Sequence, residues 1–103
     1  MDSCIAPDGS NLRVAKLAPR PSLGGYREAM ALANAEAEKH LGEAMLLSWY
    51  DRDRDFESPQ HASECHRDSA VPGYAAYGIN RGATLKVDVE DGRFVFFYLP
   101  LDF

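Results

Sequence analysis

The sequence predicts an α/β (α+β) sandwich: a mixed four-stranded sheet with one long and one short helix, in the order β-α-β-α-β-β, closing on a C-terminal β-hairpin. Three observations carry that expectation. Residues 23 to 41 repeat apolar side chains at helical spacing, residues 44 to 50 are apolar almost without a break, and residues 83 to 90 alternate strictly ahead of an Asp91-Gly92 pair from which residues 93 to 99 return. A chain of 103 residues supplies one hydrophobic core and not two, so residues 1–103 are expected to form a single domain.

Residues 1 to 10 are polar, are broken by Pro7 and Asp8-Gly9, and read as a loose lead-in. Asn11 to Leu17 sets Leu12, Val14 and, less cleanly, Leu17 against Arg13 and Lys16, a short strand that Pro19-Arg20-Pro21 stops. Ser22 is placed to cap the long helix. At 100° per residue, Tyr26, Met30, Ala33, Ala37 and Leu41 form one stripe with Ala29 beside it. The alanines in that stripe let the helix axis approach a sheet closely. His40 suits the negative end of the helix dipole, and Gly42 is placed to end the helix in a left-handed conformation.

Ala44 to Tyr50 reads as a central strand covered on both faces, with Met45, Leu47 and Trp49 on one side. Ala44, Leu46, Ser48 and Tyr50 fall on the other. Ser69 is a candidate cap for the second helix, with Pro72 in its first turn and Gly82 at its end. In the hairpin, a type I′ turn at Asp91-Gly92 sets Val89 opposite Phe94, Val87 opposite Phe96 and Leu85 opposite Tyr98. The other face of the last strand carries Val95, Phe97 and Leu99, which need cover from a second layer or from another protein. A homodimer through the C-terminal sheet is therefore an expectation.

Net charge bounds the partners. With 11 basic and 16 acidic residues the chain carries −5, and its arginines are scattered or interleaved with acids, which argues against nucleic acid. No apolar run approaches the roughly 18 residues of a membrane span, and residues 1 to 8 lack the pattern of a secretory leader. A cytoplasmic location is the resulting expectation. Cys4 and Cys65 lie far apart in the chain and are expected to be free thiols there.

Candidate chemistry gathers between Ser48 and His66. Asp51, Asp53, Asp55 and Glu57 recur at every second position, which in extended backbone would project four carboxylates to one side. Such a row reads first as a solvated strand end that discourages edge pairing, with a hard-cation site or recognition of a charged partner as the alternatives. An EF-hand reading fails, because Phe56 stands where glycine is required and Ala62 where a bidentate glutamate belongs. His61, Cys65 and His66 could ligate a transition metal, or Cys65 could act as a nucleophile activated by either histidine, with Asp55 or Glu57 assisting. Trp49 and Tyr50 stand where the strand passes from apolar to acidic, a place where rings can line a ligand pocket. With Asp51, Asp55 and Glu57 they are the candidate ligand-binding residues. No cofactor class is indicated.

The run Ser48-Trp49-Tyr50-Asp51-x-x-Arg54-Asp55-Phe56-Glu57-Ser58-Pro59, then Ser63-Glu64-Cys65, Gly73-Tyr74-x-x-Tyr77, Gly82-Ala83-x-Leu85-Lys86-Val87-Asp88-Val89 and Gly92-Arg93-Phe94-Val95-Phe96, resembles a small family. Its members are anaerobic bacterial and archaeal proteins of this length, known as a domain of unknown function. The similarity spans about residues 22 to 99. It implies no activity, cofactor or catalytic residue. The expected function is a binding or accessory module, with a metal- or thiol-dependent site at His61, Cys65 and His66 as the alternative.

Overall fold

The computed structural model describes residues 12–58 and 73–101. Its elements are β1 (Arg13–Leu17), α1 (Tyr26–Leu41), β2 (Ala44–Asp51), β3 (Phe56–Ser58), α2 (Gly73–Asn80), β4 (Leu85–Val89) and β5 (Phe94–Pro100). The strands form one mixed sheet in the order β1-β4-β5-β2-β3. Only β1 and β4 run parallel; the other neighbours are antiparallel. The sheet therefore has five strands where four were expected, and the additional one is the three-residue β3.

The sheet is a middle layer between the two helices. On the α1 side, Leu85, Val87, Val89, Phe94, Phe96 and Tyr98 pack with Ala29, Ala33 and Ala37. These three alanines sit at i, i+4 and i+8 and are essentially solvent-free, so the helix backbone lies close against the strands. On the α2 side, Val95 and Phe97 pack with Ala75 and Ala83. The second face of β5 is thus covered from within the chain. Gly78 is what lets α2 settle: a Cβ there would lie 2.8 Å from both Phe97 Cβ and Ser48 Oγ.

The hairpin has the expected register, with Leu85, Val87 and Val89 opposite Tyr98, Phe96 and Phe94. Asp91 and Gly92 take positive φ as a type I′ turn requires, and Glu90 joins them at φ 55°. Gly42 ends α1 at φ 74°, its N–H donating to Glu38 O. Gly82 ends α2 in a Schellman arrangement, with Ala83 N–H on Gly78 O and Gly82 N–H on Ile79 O.

Three expectations need correction. First, α1 begins at Tyr26 after Gly25, not after Ser22. Ser22 Oγ and the Leu23 N–H instead donate to the Glu90 carboxylate, which draws this stretch to the hairpin tip and out of the helix. Second, β1 points Ala15 and Leu17 toward α1, while Leu12 packs on the α2 side and Val14 is 47% exposed. Third, β2 does not alternate throughout. Its register against β5 shifts between Leu46 and Ser48, a bulge that leaves Leu47 without a partner. Ala44 and Leu46 face α1, but so does Trp49, while Leu47 and Tyr50 face α2.

Candidate functional site

The bulge at Leu47 decides where the aromatic pair of β2 goes. Beyond it, Trp49 lies on the α1 side, stacked on Tyr26 at 5.5 Å and on Phe96 at 5.8 Å between ring centroids. Tyr50 lies on the α2 side, nearly parallel to the Tyr74 ring at 5.0 Å. The two residues that were adjacent candidates in the sequence therefore serve opposite faces of the sheet.

The acidic stretch is a turn. Residues 52–55 reverse the chain so that β3 pairs back on β2, with Asp51 opposite Phe56 and Tyr50 opposite Glu57. Asp51 starts the reversal: its Oδ1 accepts the Asp53 N–H at 3.0 Å, an Asx turn. Asp55 completes it with φ 49°, a left-handed conformation that aspartate tolerates better than most residues. The row of four carboxylates expected of an extended strand is thereby dispersed. Among the described residues, no three His, Cys, Asp or Glu side chains are grouped to hold a metal.

Two of the four carboxylates are tied to arginines. Asp51, 1% exposed, also accepts Arg54 Nε at 2.6 Å. Arg54 in turn lies over the Tyr26 and Phe56 rings. Asp53 accepts from Arg93 Nε and Nη2, and the Arg93 guanidinium also donates to Glu90 and to Leu23 O. Arg93 holds the Asp53 carboxyl below the usual aspartate range. Glu90 is likewise lowered, first by the Ser22 hydroxyl and then by Arg93. This hub ties together Ser22 and Leu23, the 52–55 turn and the hairpin tip.

Asp55 and Glu57 belong to a different environment. With Tyr50, Gly73 and Tyr74 they line a cleft of about 460 Å³ between β3 and the first turn of α2. The Tyr50 hydroxyl donates to Asp55 Oδ1 at 2.9 Å. That bond, together with burial and the Asp55 charge, raises the Tyr50 pKa above its ordinary value. Burial raises Tyr74 further, to about 12, with smaller contributions from Tyr50, Asp88 and Glu57. Both phenols are therefore protonated at neutral pH. Among the described residues, neither Asp55 nor Glu57 has a cationic side chain within ion-pair distance.

A second cavity, about 480 Å³, opens at the C-terminal end of α1 beside Asn34, Glu38, Ala44, Leu46 and Tyr98. The Tyr98 hydroxyl donates to Asn34 Oδ1, and burial raises its pKa. Sequence reasoning did not find this hollow, because its opening comes from small residues at a helix end and not from any reactive group. It also did not place Gly73 and Tyr74 at the site of Tyr50; only the packing of α2 on β2 joins them. His61, Cys65 and His66 lie outside the described residues, as does Cys4.

The architecture defines a class: a three-layer domain whose mixed five-stranded sheet presents an aromatic and acidic cleft beside its shorter helix. The family model for a domain of unknown function, DUF5619, matches residues 12–98, and the chain belongs to that family. A crystal structure of the protein AF1514 from Archeoglobus fulgidus superposes with a TM-score of 0.69 at 24% identity, covering 88% of this chain and 96% of that one. That likeness establishes the fold. No curated protein matches the sequence. Among the described residues, no helix is long and apolar enough to cross a membrane.

Proposed function

We propose that this chain is a small binding module that holds a low-molecular-weight ligand in the cleft between β3 and α2. One observation carries the reading: Tyr50 and Tyr74 stack beside a hollow of about 460 Å³ into which two carboxylates without basic partners among the described residues also open. A concave, partly aromatic pocket with a few converging polar groups is the usual form of a small-molecule site. The Arg93 hub supports the reading by contrast, since its hydrogen-bonding capacity is engaged within the chain.

The test is backbone amide NMR of the whole protein against a fragment panel of amines, carboxylic acids and neutral alcohols. Binding should shift the amides of Tyr50, Glu57, Gly73 and Tyr74 ahead of all others. Responses confined to Asn34, Glu38 and Tyr98 would move the site to the other cavity and end this proposal. Elemental analysis and thiol titration of the same preparation address the alternative at His61, Cys65 and His66. Stoichiometric metal, or an abnormally acidic Cys65, would favour that alternative over the cleft.

A further inference from the structure

We propose that the ligand of this cleft is an organic cation, an ammonium group carried on a small hydrocarbon frame. The inference rests on the binding-module reading and specifies the chemistry of the same site.

Charge comes first. Asp55 and Glu57 both line the cleft, and among the described lining residues there is no lysine, arginine or histidine. Asp88 is close enough to act on the Tyr74 phenol, so the negative field extends past the lining itself. Arg52 is the cation near enough to act on Tyr50, yet it makes no ion pair with Asp55 or Glu57. Elsewhere in the same turn the acids are answered within the chain: Asp51 by Arg54 and Asp53 by Arg93. Among the described residues Asp55 accepts the neutral Tyr50 hydroxyl and Glu57 makes no ion pair, so this partly enclosed hollow keeps a negative charge that attracts cations, and the chain's net −5 works in the same direction.

The rings select the kind of cation. A hard metal ion requires a shell of six or more oxygens, and no group of three candidate ligands converges among the described residues. An ammonium is satisfied by one or two carboxylates together with the face of an aromatic ring. Tyr50 and Tyr74 both line the cleft and stack on one another with an interplanar angle of 8°, so an ammonium would meet the outer face or edge of that pair. Because the Tyr50 hydroxyl donates its proton to Asp55, electron density is pushed into that ring, which strengthens its attraction for a cation. Both rings also remain neutral phenols, so neither gains nor loses charge across ordinary pH. Gly73 leaves the approach to Tyr74 without a side chain.

The experiment uses the full chain at low salt and matched probes: choline and its neutral carbon isostere 3,3-dimethylbutanol, n-butylammonium and n-butanol, and trimethylacetate. At least one ammonium should bind with amide shifts at Tyr50, Glu57, Gly73 and Tyr74, roughly tenfold or more tightly than its neutral counterpart, a gap of about 1.4 kcal/mol. Glu57→Gln should weaken that binding roughly tenfold. Asp91→Asn, the same change in net charge on an exposed turn, should leave it within about twofold. A neutral or anionic probe that binds the cleft as well as the ammoniums overturns the cation inference and leaves the site reading standing. Silence of these amides toward every probe overturns both. Equal losses in Glu57→Gln and Asp91→Asn would reduce the effect to long-range attraction and also overturn the inference.

Discussion

Residues 50 to 57 supply both polar clusters at this end of the sheet, and the two differ in how completely their charges are answered. On the α1 side, Asp51, Asp53, Arg54, Glu90 and Arg93 form a closed set in which each carboxylate accepts from an arginine. On the α2 side, Tyr50 and Asp55 satisfy one another, while Glu57 faces the cleft without an ion-pair partner among the described residues. The first arrangement fixes three loops against one another. The second leaves hydrogen-bonding capacity directed at a hollow. One turn thus contributes to cohesion on one face and lines a cleft on the other, and substitutions should separate the two.

The largest loss is expected at Asp51. Its carboxylate is buried and holds both the Asp53 N–H and the Arg54 guanidinium. Asp51→Ala should cost about 2–3 kcal/mol, because a backbone donor and a cation lose their partner together. The figure stays below that of a fully buried pair, since Arg54 is 47% exposed and can be resolvated. Asp51→Asn keeps an acceptor for the Asp53 N–H and should lose about half as much. Urea unfolding with an unchanged m-value would measure this. A neutral Asp51→Ala would dissolve the distinction between the two clusters.

The same side should be the acid-sensitive one. Asp53 and Glu90 have native pKa values below their ordinary 3.8 and 4.5, so the stabilisation they give is complete above those values. It is lost as pH falls through the depressed native values. Arg93→Met should therefore lower the urea midpoint clearly at pH 7 and progressively less below about pH 4. Asp53 dominates the change, since Arg93 is the first cause of its shift, whereas Glu90 keeps the Ser22 hydroxyl. A difference between wild type and variant that persists unchanged at pH 2 would contradict the assignment.

How much of this was legible in the chain follows from which signals were local. The hairpin register could be read because Leu85 to Val89 alternates strictly and Asp91-Gly92 fixes the turn. Helix α1 could be read from the apolar stripe of Tyr26, Met30, Ala33, Ala37 and Leu41, although its start could not. The β2 bulge left no trace, since a strand apolar on both faces shows no break in pattern when its register slips. The 52–55 turn was disguised by alternating Asp and Arg, which imitates the period of a strand. Asp51-x-Asp53 as an Asx turn, and the poor strand propensity of aspartate, were the signals that could have exposed it. Tyr50, Asp55 and Glu57 were legible as candidates, but their separation from Trp49 and Asp51 was not.

A smaller effect is expected at Gly78, which reaches the cleft indirectly. An alanine Cβ 2.8 Å from Phe97 Cβ and Ser48 Oγ must push α2 outward. Overpacking of this kind costs about 1–3 kcal/mol, offset by about 1 kcal/mol of better helix propensity. The net loss should be about 0–2 kcal/mol. Its informative consequence is elsewhere: Tyr74 moves with α2, so the Tyr50–Tyr74 stack loosens while the acid profile of the Arg93 hub keeps its wild-type shape. A change in the acid profile would show that the two faces are coupled.

The smallest effect belongs to Tyr50→Phe. This substitution removes one hydrogen bond to the exposed Asp55, a loss of about 0.5–1 kcal/mol at most. It keeps the ring and therefore the stack on Tyr74. The readout is the alkaline titration of phenols by absorbance. In the wild-type chain Tyr50 and Tyr74 titrate above the ordinary tyrosine value of 10.0, Tyr74 at about 12. Groups with raised native pKa values contribute stability that is present below the ordinary value and lost as pH climbs through the native one. In Tyr50→Phe, one high-pH phenol disappears, and Tyr74 should remain high because burial is the main cause of its shift. If Tyr74 instead falls to near 10, the neighbouring ring system and not burial governs it. The cleft would then be more open to water than its geometry indicates, and its hold on any ligand correspondingly weaker.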